Sequence, residues 1–325
     1  MITYDRLVEI IRGKLIDHSM DVSYESLSEE IFGEGNCFNE TEVRKRMYGM
    51  KRMLEVIQNS GLGDGMPHAA NRILAISDFH VPFNLPVSRF EKYAGVVDTL
   101  VLNGDIEDCQ SVSKFPKMYR VDFVDEMLAT RELLMELIDT IRPKKVVITM
   151  GNHEKRLGRY LSDALNPDLM SIMPSTPMDL ILRDGFRKHD RINRSSTWYD
   201  PLMQVYDSKV DIVYTGDWHI KVGKTIFCHP MAYMSGILKT TEKAVNFFLR
   251  GDDRDFDCIC MGHTHRLGSY VQGGITMYEQ GCWCDLSKLD YADGRLAMPA
   301  QNGYVYMVQD ADGNLIHDQT KLVSC

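Results

Sequence analysis

Ile73-Leu74-Ala75-Ile76-Ser77-Asp78-Phe79-His80 is a short apolar run that gives way to an acid and an imidazole. An apolar run of this length, bounded by polar residues, reads as a fully buried strand. The pattern recurs. Leu100-Val101-Leu102 runs into Gly104-Asp105-Ile106-Glu107-Asp108, and Val146-Val147-Ile148 runs into Gly151-Asn152-His153-Glu154. Between these two, residues 122–141 carry Met127, Leu134, Leu137, Ile138 and Ile141 at helical spacing. Strands alternating with helices imply a parallel α/β core. Each polar cluster then falls just past the carboxyl end of a strand, where open α/β sheets bind ligands.

Further along, Thr225-Ile226-Phe227 leads to Cys228-His229-Pro230, and Cys258-Ile259-Cys260-Met261 leads to Gly262-His263-Thr264-His265. Residues 270–278, interrupted by Gly273-Gly274, read as a hairpin. Tyr304-Val305-Tyr306-Met307-Val308 and Leu315-Ile316-His317, joined through Asp312-Gly313-Asn314, read as another. Together these segments predict a second, more antiparallel sheet packed on the first. Residues 155–205, with Leu157, Leu161, Leu165, Met178, Leu180, Ile181 and Leu182, read as a helical insertion. There is no internal repeat.

Residues 1–66 read as a small helical domain. Leu7, Ile10, Ile11 and Leu15 form one stripe. A second helix is expected from Ser26, with Glu29 as its capping-box partner, to Gly33. A third follows Asn39, with Glu42 as box partner and Val43, Met47, Met50, Leu54 and Ile57 facing in. Asn59 to Pro67, rich in glycine, reads as a linker to a domain spanning 67–325. Arg44, Lys45, Arg46, Lys51 and Arg52 lie on the third helix, so the unit is similar to a helix-turn-helix module. On that reading Arg44, Lys45, Lys51 and Arg52 contact DNA or RNA. Acids outnumber bases over residues 1–66, and the alternative is a cap that packs on the larger domain or on another subunit.

The 325 residues, 44% hydrophobic and 26% charged, have the composition of a soluble globular protein. A net charge of −9 excludes a generally basic nucleic-acid coat but leaves room for a local basic groove. The eight cysteines include no CxxC pair, the first residues lack the features of a signal peptide, and no apolar run reaches membrane-spanning length. A reducing cytoplasm with free thiols is expected, and no membrane partner. Cys258/Cys260 and Cys282/Cys284 alternate along strands; a zinc site built from them is the rival reading, against the usual CxxC spacing.

The strand-end clusters offer carboxylates, imidazoles and an amide, donors suited to a pair of divalent metals acting on a phosphate ester. Asp105, after Gly104, is placed to bridge two cations. Asp78 and His80 alternate along an extended segment and so can face one way, and His263 and His265 share that spacing. Asn152 adds a neutral oxygen. His153 points elsewhere and is free to donate a proton. Asp108 orients the site from behind the ligands or caps a helix. Glu154 holds His153 or begins the next helix. Gly216-Asp217-Trp218-His219 imitates a ligand motif and reads as a turn.

The ordered set DxH, GDxxD, GNHE, a strand-end histidine and GHTH resembles the calcineurin-like metallophosphoesterase superfamily over residues 72–285, and the N-terminal module with the charged loops resembles its phage and bacterial members. The resemblance implies a four-layer α/β sandwich, two packed sheets flanked by helices. It implies one metal on Asp78, His80, Asp105 and His265, and another on Asp105, Asn152, His229 and His263. It implies attack by a metal-bridging hydroxide, with His153 protonating the leaving alkoxide or steering the phosphate. Mn²⁺ is the expected metal, with Fe, Zn, Mg, Ni and Co as alternatives. Cys109-Gln110 stands where the Ser/Thr protein phosphatase branch has Arg-Gly, which puts that activity in doubt. Lys114, Lys117, Arg120, Lys155 and Arg156, interleaved with Phe115, Tyr119 and Tyr160, are candidate substrate contacts, or else solvated loop residues. The expectation is a phosphodiesterase acting on nucleic acid or nucleotides. The alternatives are a phosphomonoesterase and a nucleic-acid-binding regulator on an inactive scaffold.

Overall fold

A computed structural model describes residues 4–15, 19–33, 36, 38–59, 69–114, 120–251, 254–288 and 299–325. Two compact units divide the chain, Met1–Pro67 and His68–Cys325. The first holds α1 (Tyr4–Leu15), α2 (Tyr24–Phe32) and α3 (Glu40–Asn59). Ile10, Ile11, Leu15, Leu27, Val43 and Met47 form its core. The cap of α2 lies earlier than expected: Ser23, not Ser26, is the N-cap, and its Oγ accepts the Ser26 N–H at 3.2 Å. At α3 the Asn39 side chain accepts the Glu42 N–H at 3.0 Å and the Glu42 carboxylate accepts the Asn39 N–H at 3.1 Å, a reciprocal box. The side chains of Leu54 and Ile57 lie outside the described ones.

The second unit contains β1 (Asn71–Ile76), β2 (Thr99–Asn103), β3 (Lys145–Thr149), β4 (Phe186–Asp190), β5 (Ser195–Tyr199), β6 (Asp211–Tyr214) and β7 (His219–Val222). It continues with β8 (Thr225–Cys228), β9 (Cys258–Met261), β10 (Leu267–Gln272), β11 (Ile275–Gln280), β12 (Gly303–Gln309) and β13 (Lys321–Ser324). Its helices are α4 (Phe123–Ile141), α5 (Lys155–Ala164), α6 (Pro167–Met170), α7 (Pro177–Asp179), α8 (Leu202–Val205) and α9 (Lys239–Arg250). One sheet has the order β13-β12-β1-β2-β3-β6, the other β10-β11-β9-β8-β7. In the first, β1, β2, β3 and β6 run parallel and β12 is antiparallel to β1. In the second, β8, β9 and β11 run parallel between antiparallel edges.

The period of two along each strand builds the layers. Ile73, Ala75, Val101, Val147, Val305 and Met307 point to Phe227, Cys258, Cys260 and Tyr278 of the facing sheet. Their neighbours Leu74, Ile76, Leu100, Leu102, Val146 and Ile148 point the other way, onto Met127, Leu134, Leu137 and Ile141 of α4. Behind the second sheet, Ile226, Cys228, Ile259 and Met261 meet Ala244 and Phe248 of α9. Helix, sheet, sheet, helix is the four-layer α/β sandwich.

Two expectations are corrected. The partner of β12 is β13, not residues 315–317, and this hairpin extends the first sheet rather than the second. Leu315 makes only an isolated bridge to Gln309, and both Leu315 and Ile316 are buried, a consecutive burial that a half-exposed strand cannot provide. The insertion at 155–205 is only partly helical: β4 and β5 form an antiparallel hairpin within it.

Candidate metal centre

Five parallel strands from two sheets deliver the polar clusters to one place. Asp78 follows β1, Asp105 follows β2, Asn152 follows β3, His229 follows β8, and His263 and His265 follow β9. Close backbone approach makes this possible. A Cβ on Gly104 would lie 2.6 Å from His229 Nδ1, and one on Gly151 would lie 2.1 Å from Asp105 Oδ1. Glycine is therefore required at both points.

Five of the candidate ligand residues do not lie in extended backbone, contrary to the expectation for Asp78 and His80. Asp78 (φ 55°), His80 (48°), Asp105 (50°), His263 (79°) and His265 (55°) are all left-handed. That conformation costs roughly 1–2 kcal/mol per non-glycine residue. Such strain persists only where the surroundings over-determine it. Here the loops zip together: Asp78 N–H to Gly104 O (3.1 Å), His80 N–H to Asp105 O (3.1 Å) and Val81 N–H to Ile106 O (2.8 Å). Glu154 completes the clamp. Its buried carboxylate accepts N–H bonds from Asp105 (3.1 Å), Ile106 (2.6 Å), Glu107 (3.2 Å) and Gly151 (2.8 Å). It neither holds His153 nor merely starts α5, the two roles considered from the sequence.

The side chains gather as two groups, the buried Asp78–His80–His265 and Asp105–His229–His263 with His263 half-buried, each with candidate ligand atoms within 4.8 Å of one another. In the first, His265 Nε2 lies 3.0 Å from both Asp78 Oδ1 and His80 Nε2. In the second, His229 Nε2 lies 3.2 Å from Asp105 Oδ2. Asp78 Oδ1 is also 3.9 Å from His229 Nε2, so this carboxylate faces imidazoles of both groups. The His229 ring is fixed by Nδ1–H donating to Asn103 O at 2.7 Å, which leaves Nε2 for a ligand. Asn103 also donates to Cys228 O and Cys260 O, each at 3.1 Å, and ties the two sheets together behind the site.

The donor set fits divalent metals. Asn152 Oδ1 and His263 Nε2 are buried without any hydrogen-bond partner, a costly state for atoms that a cation would engage. Charge is arranged to match. Burial alone would lower His229, but Asp105 and Asp78 outweigh it and push it up to about 10. His265, beside Asp78, is likewise carried against burial to about 9. Burial and the neighbouring His229 lower His263 to about 4. Burial opposes ionisation of Asp78, yet His265 and His229 bring its carboxyl down to about 2.

A third buried group, His80–Asp108–His153, adjoins the first. Asp108 Oδ1 is 2.8 Å from His153 Nδ1 and 3.3 Å from His80 Nδ1. Despite burial, these two imidazoles hold the Asp108 carboxyl far below the usual range. Arg156 donates to Asp108 O at 2.7 Å, and its other amino group meets His153 Nε2 at 2.9 Å. Guanidinium only donates, so in this arrangement Nε2 accepts and Nδ1 carries the proton.

The other candidates disperse. Lys114 pairs with Asp163 at 2.6 Å, Arg120 is exposed, Lys155 is half-buried at the start of α5, and Lys117 lies outside the described residues. Lys51 donates to Leu15 O of α1, so it leaves the basic face of α3 on which Arg44, Lys45 and Arg52 are exposed. Cys258, Cys260, Cys282 and Cys284 are buried free thiols, and among the described residues none joins a metal-holding group. His219 begins β7, and Trp218 packs against Phe248. Sequence reasoning missed Asn103 and Arg266. Asn103 had a signal, a polar residue directly before Gly104 at the end of an apolar run; Arg266 had none.

Among solved structures, the chain is similar to Vacuolar Protein Sorting 29 from Cryptosporidium parvum, with 15% identity and a TM-score of 0.36 over 79% of this chain and 100% of that one. It is similar to a conserved protein of Streptococcus pneumoniae described as a predicted phosphoesterase, with 12% identity and a TM-score of 0.30 over 78% and 98%. It is also similar to an archaeal phosphodiesterase, with 14% identity and a TM-score of 0.35 over 78% and 99%. No curated protein matches its sequence. The family described as calcineurin-like phosphoesterase matches residues 71–267, from β1 to the first residue of β10, and so takes in every strand-end cluster above; the chain belongs to the calcineurin-like phosphoesterase family.

Proposed function

We propose that the protein is a divalent-metal-dependent phosphodiesterase acting on nucleic acid or nucleotides. The observation that carries this reading is the pair of Asp/His groups at the strand ends. Asp78, His80 and His265 would hold one cation, and Asn152, His229 and His263 another, with Asp105 shared between them. Their mixed oxygen and imidazole donors suit Mn²⁺ and admit Fe, Zn, Mg, Ni or Co. When bound, such a pair neutralises phosphoryl charge and makes water a nucleophile at neutral pH.

The chain's own residues do the rest. When a phosphate oxygen takes over the Arg156 guanidinium, the freed His153 Nε2 takes up a proton from solvent, and the resulting imidazolium, its Nδ1–H held by Asp108, gives that proton to the leaving oxygen. A nucleic-acid partner is supported by the exposed face of α3. There Thr41, Arg44, Lys45, Tyr48, Gly49 and Arg52 line a shallow groove that holds three bases and no acid. This complements a phosphodiester backbone. Among the described residues no helix is long and apolar enough to cross a membrane, and we place the protein in the cytoplasm.

Purified protein loaded with Mn²⁺ is expected to hydrolyse bis-p-nitrophenyl phosphate faster than p-nitrophenyl phosphate. Asp105→Asn is expected to lose at least about 100-fold in rate, the upper end of what even a supporting residue costs. Full activity in Asp105→Asn overturns the reading, and a preference for the monoester replaces it with phosphomonoesterase activity.

A further inference from the structure

Arg266 directly follows His265 and is 1% exposed, and the hydrogen bonds of its side chain run to the loop between β8 and α9. Its Nη1 donates to Met234 O at 3.1 Å and Gly236 O at 3.0 Å, and its Nη2 donates to the Tyr233 hydroxyl. The guanidinium carbon is 5.0 Å from the Tyr233 ring centroid. Burying a guanidinium is expensive unless its donors are satisfied. Here three hydrogen bonds run to one loop, whose tyrosine stays 52% exposed. The Tyr233 ring is therefore fixed on one side by a buried cation and open on the other. Its centroid is 6.4 Å from the His263 ring, the planes at 80°.

The same loop meets the basic side of α5. Arg159 reaches Met231 Sδ at 3.7 Å, one turn from Arg156. An aromatic ring thus lies beside His263, and the loop that carries it also touches Arg159 of α5. Every nucleobase has a π-face, and a ring whose rotamer is already fixed gains from stacking without a further ordering cost. We propose that Tyr233 is the stacking platform for the nucleobase next to the scissile phosphate, held in place by Arg266; this rests on the phosphodiesterase reading above.

The test compares two competitive inhibitors of bis-p-nitrophenyl phosphate hydrolysis by the Mn²⁺-loaded full chain. AMP and ribose 5-phosphate share a phosphate and a sugar, and only AMP carries a base. In Tyr233→Leu, which keeps apolar bulk without a π-face, the inhibition constant for AMP is expected to rise roughly 5- to 150-fold, the span of base–aromatic stacking, against less than about twofold for ribose 5-phosphate. Tyr233→Phe is expected to keep the preference for AMP. Parallel changes for both inhibitors in Tyr233→Leu, or no change for AMP, overturn the proposal. A wild-type protein without metal-dependent hydrolysis overturns the phosphodiesterase reading instead.

Discussion

Glu154 acts on the site through the backbone of the turns that carry it. Its carboxylate accepts the N–H groups of Asp105, Ile106, Glu107 and Gly151, so it fixes the turn after β2 against the turn after β3. Removing it leaves those donors buried and unpaired, at about 1–3 kcal/mol for each that water does not reach. Glu154→Ala is therefore expected to destabilise the protein by at least about 3 kcal/mol, read as a lower urea midpoint. An unchanged midpoint contradicts the clamp. His153 acts at the same scale. On the proposed reading, Asp108 at Nδ1 leaves Nε2 to pick up the proton that goes to the leaving group. His153→Ala is expected to lose about 10²–10⁴-fold on alkyl phosphodiesters and much less on p-nitrophenyl esters, whose leaving group needs little protonation. Equal losses on both point to a structural or phosphate-binding role.

At the level of elements, α4 carries a buried acid with a pH signature. Both Glu126 oxygens accept the Gln110 N–H at 3.1 Å. Burial, reinforced by the charge of Asp108 and only partly offset by that N–H, pushes the carboxyl up from 4.5 to about 8. A raised folded-state pKa contributes stability that is complete below the unfolded value, 4.5, and is lost as pH rises through about 8. Wild-type unfolding midpoints are expected to fall between about pH 5 and pH 8.5, and Glu126→Gln is expected to flatten that slope. A slope that persists in the variant assigns the loss to another group. Elements also show where reading the sequence fails. Phe186–Asp190 and Ser195–Tyr199 carry few alternating apolar residues, because their hairpin is largely exposed; Asp190 holds the turn by accepting from Ile192 and Asn193. Nothing in their periodicity separates them from loop.

For the whole molecule, the candidate metal centre draws on both sheets of the larger unit, so on the proposed reading its occupancy is felt throughout that unit. Binding to the folded chain alone, at a metal concentration 100 times Kd, adds about 2.7 kcal/mol. Mn²⁺ is expected to raise the melting temperature of the full chain and EDTA to reverse the gain. Because the imidazoles must be deprotonated to bind, the gain is expected to grow with pH. A melting temperature indifferent to metal argues against a resident cation. The same architecture explains how the sheets are matched: Asn103, from one sheet, bonds carbonyls of two strands of the other.

By itself the sequence determined the strands β1, β2, β3, β8 and β9, the helix α4 and the polar clusters at the strand ends. Continuous apolar runs and helical spacing are local patterns, and a buried parallel strand must end where water begins. It also determined the donor types, and hence the metal chemistry on offer. Tertiary structure alone decided the left-handed turns that aim Asp78, His80, Asp105, His263 and His265, and the four N–H groups that converge on Glu154. It alone decided that Arg266 would reach Tyr233. Those features depend on partners far away in sequence, and the strain of a left-handed residue is offset by hydrogen bonds from other segments, which leave no mark on the residue itself.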